Sequence, residues 1–267
     1  MAERLDVALV ARGVSESRTK AQRRISQGDV WVNGICVTKT SHPVSTDDEI
    51  VLAGGSDDVG RGAVKLRAAL TQWDCDVAGL QVLDIGASTG GFTEVLLTAG
   101  AAQVVALDVG HGQLHPRVRE DPRVRALDGV NIKGVTPVWW ESVGGGDIDF
   151  IVADVSFVSL THVLPPVVAL WGLVPWVVLV KPQFEVGRTH ISGGIARDPL
   201  DHERALATVL RCAEGLGLEC GGIIESPITG EAGNREYLCW LTPTTSENPP
   251  QWSERIHHLS RAGRNIQ

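Results

Sequence analysis

Runs of apolar residues divide the 267-residue chain into two regions. From residue 80 onward, short Val, Ile and Leu runs alternate with helical patterns: LQVLDI, then TEVLLTAG, then AAQVVALD. A run that is apolar at nearly every position is buried on both faces, as in a parallel strand covered by helices. The pattern predicts strands at 80–85, 102–108, 123–127, 148–154 and 176–181. It predicts helices at 91–99, near 114–119, from 137 into a glycine loop ending at 146, and at about 160–170. Asp198 followed by Pro199 starts a helix running to about Glu214, because proline at the first helical position has no N–H to leave unpaired. Segments 218–226 and 236–242 read as an antiparallel pair closing the sheet, and 251–262 as a last helix.

The first 53 residues follow another rule. Leu5, Ala8 and Leu9 have helical spacing, and Ser17 is placed to cap a second helix, RTKAQRRISQG, that stops at Gly28. VWV-NG-ICV then alternates around Asn33-Gly34, a type I′ hairpin signal, and IVLA is a further strand. Gly54 to Gly60 is a polar, glycine-rich linker, after which a helix runs to about Trp73. The division is 1–53, a linker at 54–62, and a large domain at 63–267.

Charge changes this picture only locally. The net charge is −8, which gives no bulk attraction to nucleic acid. Yet residues 12–24 hold Arg12, Arg18, Lys20, Arg23 and Arg24 against Glu16, a balance of +5 − 1 = +4. Lys20, Arg23 and Arg24 share a helix face, which suits a phosphate backbone as well as it suits water. The five cysteines are widely spaced with no zinc pattern, so no metal is expected and the thiols read as reduced. The N-terminus lacks an apolar secretory segment, which points to a cytoplasmic protein. Residues 155–180 carry no Asp, Glu, Lys or Arg and are long enough to span a bilayer. Pro165, Pro166, Gly172 and Pro175 interrupt them, so a buried helix and a central strand are expected instead, and a membrane partner is not.

The candidate chemistry begins at LQVLDIGASTGGF. A strand ending in Asp84 is followed by Gly86, Gly90 and Gly91 and then a helix, the first half of a nucleotide-binding βαβ unit. The next strand ends in Asp108, 22 residues after Gly86, where an acid can accept hydrogen bonds from ribose hydroxyls. The spacing misses the second glycine of the dinucleotide fingerprint, which a pyrophosphate needs for close approach. The D-x-G-x-x-x-G pattern resembles motif I of class I methyltransferases, whose cofactor, S-adenosyl-L-methionine, has no phosphate. The resemblance implies cofactor contacts from Asp84, Gly86, Ala87, Ser88, Gly90, Gly91, Phe92, Asp108, Asp128, Gly129 and Asp154.

Two further resemblances extend over the chain. Arg4-Leu5-Asp6, Ser17-Arg18, Ala21, Ile25, Gly28, Val30 and Val32-Asn33-Gly34 resemble an S4 RNA-binding domain. That implies RNA contacts from Arg4, Arg18, Lys20, Arg23 and Arg24, by shape and phosphate. Asp154 and Lys181 end neighbouring strands, Glu236 opens an antiparallel one, and Lys65 precedes the first strand of the large domain. Their order resembles the K-D-K-E tetrad of FtsJ-type ribose 2′-O-methyltransferases. With LDIGASTGGFTEVLL, ALDVGHGQL, IVADVSFVSL, LVKPQFEVG and SPITGEAGNREYL, the whole chain resembles the TlyA family of ribosomal RNA 2′-O-methyltransferases, also labelled haemolysins. It departs from that family in the linker, which reads DDVGRG where an aromatic-Val-Ser segment usually precedes Arg-Gly.

The expected fold is α/β: a class I, Rossmann-like methyltransferase with a mixed seven-stranded sheet, preceded by a small α+β S4 domain. The expected activity is methyl transfer from S-adenosyl-L-methionine to a cytidine ribose in 16S or 23S rRNA, with ribosomal subunits as partners. In this reading Lys181 is the general base or hydroxyl orienter, Lys65 a second cation, and Asp154 and Glu236 orient the lysines. Two other classes compete: a membrane-active haemolysin, suggested by the family label and the charge-free stretch, and a non-catalytic ribosome-assembly factor. The oligomeric state is left open.

Overall fold

The computed structural model describes the chain except residues 1–2, 27–29, 34, 47, 49, 53–57, 231–232, 245–251 and 262–267. In the N-terminal module, β1 (Glu3–Arg4) leads into α1 (Leu5–Ala11) and α2 (Arg18–Ser26). β2 (Val30–Val32), β3 (Ile35–Cys36), β4 (Pro43–Val44) and β5 (Ile50–Leu52) follow. Ser17 does cap α2, its Oγ accepting from Lys20 N at 3.3 Å. β2 pairs with β3 across the expected hairpin, with Asn33 at φ 51°; Gly34 and the Gly28 helix stop lie outside the described residues. β5 adds on the other side of β2. The short β1–β4 pair has no signal in the sequence. Leu5, Ala8 and Leu9 pack on Ala21, Ile25, Val30, Val32, Val37 and Val44, a small core of the module's own.

In the C-terminal domain, α3 (Gly62–Trp73) precedes β6 (Gln81–Ile85), α4 (Gly91–Thr98), β7 (Gln103–Asp108), α5 (Pro116–Arg119) and β8 (Val124–Asp128). Then come α6 (Pro137–Ser142), β9 (Phe150–Ala153), α7 (Leu164–Trp171), β10 (Trp176–Val180) and α8 (Pro182–Glu185). A small hairpin, β11 (Ile191–Ser192) and β12 (Ile195–Ala196), precedes α9 (Pro199–Gly215), β13 (Leu218–Glu225), β14 (Tyr237–Pro243) and α10 (Ser253–Arg261). The sheet has seven strands in the order β13-β14-β10-β9-β6-β7-β8. β8, β7, β6, β9 and β10 are parallel; β14 is antiparallel to β10, and β13 to β14. The sheet is mixed, as the pattern predicts.

Both faces of the central strands β6, β7, β9 and β10 are covered, which is why they read as nearly continuous apolar runs. Alternation along β6 sends Leu83 and Ile85 to the face packed by α7 and α9, and Val82 to the face packed by α3 and α4. α3 lies across that second face, where its Trp73 stacks on Trp240 of β14 with ring centroids 6.2 Å apart. Asp198 caps α9 through Leu200 N at 3.0 Å. The charge-free stretch is no membrane span. It breaks into the eight-residue α7 and the fully buried strand β10, and no helix among the described residues is long and apolar enough to cross a membrane.

Candidate active site

The site lies at the carboxyl ends of the parallel strands, where open α/β sheets hold ligands. The glycine turn after β6 is built for close approach. Gly86 has φ +85°, and a Cβ there would stand 2.4 Å from the Asp154 carbonyl oxygen. Only glycine lets the first loop touch the end of β9. Ser88 N donates to Asp108 Oδ2 at 2.8 Å, and Gly110 N to Oδ1 at 2.7 Å, so the loops after β6 and β7 converge on one carboxylate. Gly129 N donates to Gly110 O at 2.8 Å, joining the loop after β8, while Asp128 accepts from Gly112 N and Arg119. Ser88, Asp108, Asp128 and Gly129 thus share one edge of the sheet.

Two of the cofactor candidates stand elsewhere. Asp84 is fully buried and cannot touch a ligand. Strand alternation turns it beneath α4, where Thr93 Oγ1 donates to its Oδ2 at 2.6 Å. Burial pushes its carboxyl up to about 7, the Thr93 hydrogen bond opposes the shift, and Asp154 adds to it. Gly90 has φ +95° at the start of α4, and a Cβ there would meet Leu114 and Val118 rather than the cleft. Its freedom serves the turn, not a ligand. Phe92 is 3% exposed and packs against Gly62 of α3, although its edge reaches the cleft wall.

The four tetrad residues come together from positions up to 171 residues apart in the chain. α3 delivers Lys65, whose Nζ lies 2.6 Å from Glu236 Oε2; their side chains are 8% and 3% exposed. Lys181, one residue beyond β10, places Nζ 2.6 Å from Asp154 Oδ1, one residue beyond β9. The same Nζ donates to Ser156 Oγ at 2.9 Å. The Lys181–Asp154 contact is an ion pair without hydrogen-bond alignment, since Asp154 Oδ1 has no hydrogen-bond partner among the described residues. Breaking either pair would strand a buried charge, which is costly.

Both pairs line one cavity of about 1060 Å³, with Gly86, Ala87 and Ser88 along one side. Lys20, Arg23 and Arg24 of α2 also line it. Of the five basic residues predicted to meet RNA, these three face the cleft. Arg4 and Arg18 do not: they bond the buried Asp6, whose carboxyl Arg4, Arg18 and Gln22 hold well below the usual range. Lys20 also pairs with Glu16 in the loop just before its helix. Phe157 stands at the cleft with φ +64°, 91% exposed, its ring 5.1 Å from that of Phe184.

Residues 59–242 match the model of the FtsJ-like methyltransferases, and residues 3–50 that of the S4 domain. The chain belongs to the FtsJ-like methyltransferase family. Among FtsJ-like relatives, the 16S/23S rRNA (cytidine-2'-O)-methyltransferase TlyA of Mycobacterium tuberculosis is 45% identical, covering 91% of this chain and 90% of its own. Hemolysin A of Brachyspira hyodysenteriae is 40% identical over 88% of this chain and 98% of its own. A solved structure from Streptococcus thermophilus, labelled a hemolysin, superposes with a TM-score of 0.73 at 37% identity, covering 97% of this chain and 94% of its own. The FtsJ-like tetrad positions were legible in the sequence, but three neighbours were not. Ser156 and Phe157 sit in an irregular loop with no periodicity, and Asn234 lies in a glycine-rich turn. Of these, only Phe157 left a signal, a bulky residue in a loop that offers it no core to fill.

Proposed function

We propose that this chain methylates a ribose 2′-hydroxyl of ribosomal RNA, with S-adenosyl-L-methionine as methyl donor and cytidine as target. The observation that carries this reading is the pair of lysine–carboxylate contacts in a cleft also lined by Lys20, Arg23 and Arg24 of α2. A base-ring methyltransferase has no sugar hydroxyl to hold and no use for two lysines. The activity named for the mycobacterial relative supports the rRNA and cytidine assignments.

The donor's fit is argued from the cradle. Gly86, Ala87 and Ser88 line the cleft at the strand ends, and Asp108 presents a carboxylate, already fixed by two N–H groups, to a ribose. The cofactor, when bound there, supplies an electrophilic methyl on a sulfonium. The residues of the chain do the rest. Lys181 Nζ holds the 2′ oxygen and, as the neutral amine left when the ammonium gives a proton to solvent, takes the hydroxyl proton as the new C–O bond forms and the methyl–sulfur bond breaks. Asp154 stabilises the resulting ammonium, and Ser156 keeps Nζ from swinging away. Lys65, held by Glu236, sets the second side of the ribose site. In-line transfer makes positioning the main contribution. Lys65 is 7% and Lys181 9% exposed, too deep for a ribose within a helix, so the nucleotide enters unpaired. The exposed Phe157 ring then offers a surface for its base. Ribosomal subunits as substrate place the protein in the cytoplasm.

The test is methyl transfer from labelled donor to unmodified 30S and 50S subunits, with Lys181→Ala in parallel. The expected result is label on ribose, recovered in nuclease-resistant dinucleotides. The variant should lose roughly 100-fold or more of the rate while still binding the donor. No label with wild type, or undiminished label with the variant, overturns the reading.

A further inference from the structure

The tetrad leaves unused a carboxylate that joins the two loops on which the chemistry stands. Glu185 ends α8, four residues after Lys181, and is not part of the cleft wall. Its Oε1 accepts from Leu160 N at 3.0 Å, and its Oε2 accepts from Ser159 Oγ. Ser159 Oγ in turn accepts from Thr161 N at 3.1 Å. Leu160 and Ser159 close the loop that begins at Asp154 and includes Ser156 and Phe157. Asp154 N bonds Ile85 O at 3.0 Å, but among the described residues no backbone N–H of 155–159 bonds another backbone group. The loop is therefore pinned at its start by the sheet and at its far end by Glu185. Between those pins lie the Lys181 partner Ser156 and the exposed ring of Phe157, the latter in a left-handed conformation at φ +64° that needs support from its surroundings.

We propose that Glu185 is a positioning residue: its carboxylate ties the Asp154–Leu160 loop to the Lys181 turn and so holds Ser156 and Phe157 in register with the Lys181 amine. The proposal rests on the methyltransferase reading of the site and adds a residue that touches neither substrate nor donor. Both bonds require acceptor oxygens facing the loop, and Glu185 is half-buried, so water substitutes poorly. Glutamine keeps one carbonyl oxygen for Leu160 N and can donate to Ser159 Oγ; alanine keeps neither.

The experiment has two arms. Hydrogen–deuterium exchange of wild type, Glu185→Gln and Glu185→Ala reads the tether without any methyl transfer. Faster exchange at the Leu160, Thr161 and His162 amides, whose bonds run to Glu185 and Ser159, is expected in Glu185→Ala, with β6, β9 and β10 unchanged and Glu185→Gln close to wild type. Steady-state methylation then reads the consequence: a kcat at least about tenfold lower in Glu185→Ala, as loss of alignment costs, with donor affinity unchanged and most of kcat restored in Glu185→Gln. Wild-type exchange in Glu185→Ala overturns the tether. Local loosening with an unchanged kcat overturns the positioning role, as does a Gln variant no better than Ala. If wild type itself methylates no RNA, the methyltransferase reading has failed, and the exchange arm still decides the tether.

Discussion

Asp84 shows how one residue can look like a ligand contact and act as a support. It ends an apolar run before a glycine turn, yet alternation along β6 turns it under α4. Its carboxyl is raised by burial to about 7 from an unfolded value near ~3.9. Between those values the unfolded chain is ionised at this position and the folded chain is not. Folding then takes up a proton, so stability falls as pH rises through the window, and the whole penalty is present above about 7. Asp84→Asn retains an acceptor for Thr93 and removes the charge. It should raise the melting temperature by roughly 5 °C at pH 8 and leave it unchanged at pH 4. An equal effect at both pH values would show that ionisation is not the cause. Phe157 is the complementary case, a ring on the surface with no part in filling the core. Phe157→Ala should leave the melting temperature within roughly 1 °C while raising KM for RNA. A matching loss of stability would make Phe157 a packing residue.

Between elements, the contact that matters most is α3 against the start of α4. A Cβ on Gly91 would lie 2.9 Å from Ala63 N and 3.2 Å from Gly60 O, and one on Gly62 would meet the Phe92 ring at 3.2 Å. Backbone faces backbone at Gly91, so the neighbours cannot yield as a side-chain tip would. α3 carries Lys65, and its seat on α4 sets the reach of Lys65 to Glu236. Gly91→Ala should therefore cost roughly 1–3 kcal/mol of stability by overpacking. It should also lower kcat by more than Gly100→Ala, a substitution in the turn after α4 that is strained by its φ of +90° but whose Cβ would meet only Ala78. Measuring both in urea and in single-turnover methylation checks this, and equal kcat values would uncouple α3 seating from the tetrad. The β11–β12 hairpin is seated by side chains instead: Asn234 Nδ2 donates to Gly194 O at 2.9 Å and its Oδ1 accepts from Ala196 N at 3.1 Å. His202 bridges Ala196 O and the Tyr237 hydroxyl, and burial depresses its pKa, which keeps the imidazole neutral in that bridge.

Taken whole, the molecule is acidic, yet the cleft it closes has a basic wall. With a net charge of −8, affinity for RNA has to come from where the cations stand. Lys20, Arg23 and Arg24 line the same cleft as the tetrad, so the N-terminal module contributes directly to that cleft. Replacing Arg23 and Arg24 together by alanine should raise KM for subunits. Its logarithmic salt dependence should become shallower by about 1.5, near 0.7–0.9 for each phosphate the variant no longer neutralises. Donor affinity should not move. An unchanged salt slope would assign the RNA contacts to another surface.

The periodicities sufficed for the strand and helix identities and for the mixed sheet, because strands buried on both faces are apolar throughout and the closing pair is not. Periodicity marked only Asp154 and Lys181, charges at the ends of buried runs; Lys65 and Glu236 were singled out by their resemblance to the K-D-K-E order, and the structure places all four around one cleft. The hairpin at 191–196 escaped detection because its two-residue strands are too short to show a period. Pairing was beyond the pattern as well. Which lysine meets which acid depends on α3 crossing the sheet to β14, a contact between residues 171 apart that no local spacing encodes. That Arg4 and Arg18 bond the buried Asp6 was hidden for the same reason: its burial beside them is a product of packing. Side-chain chemistry and local period are written along the chain, whereas burial and partnership arise only when distant segments exclude water together.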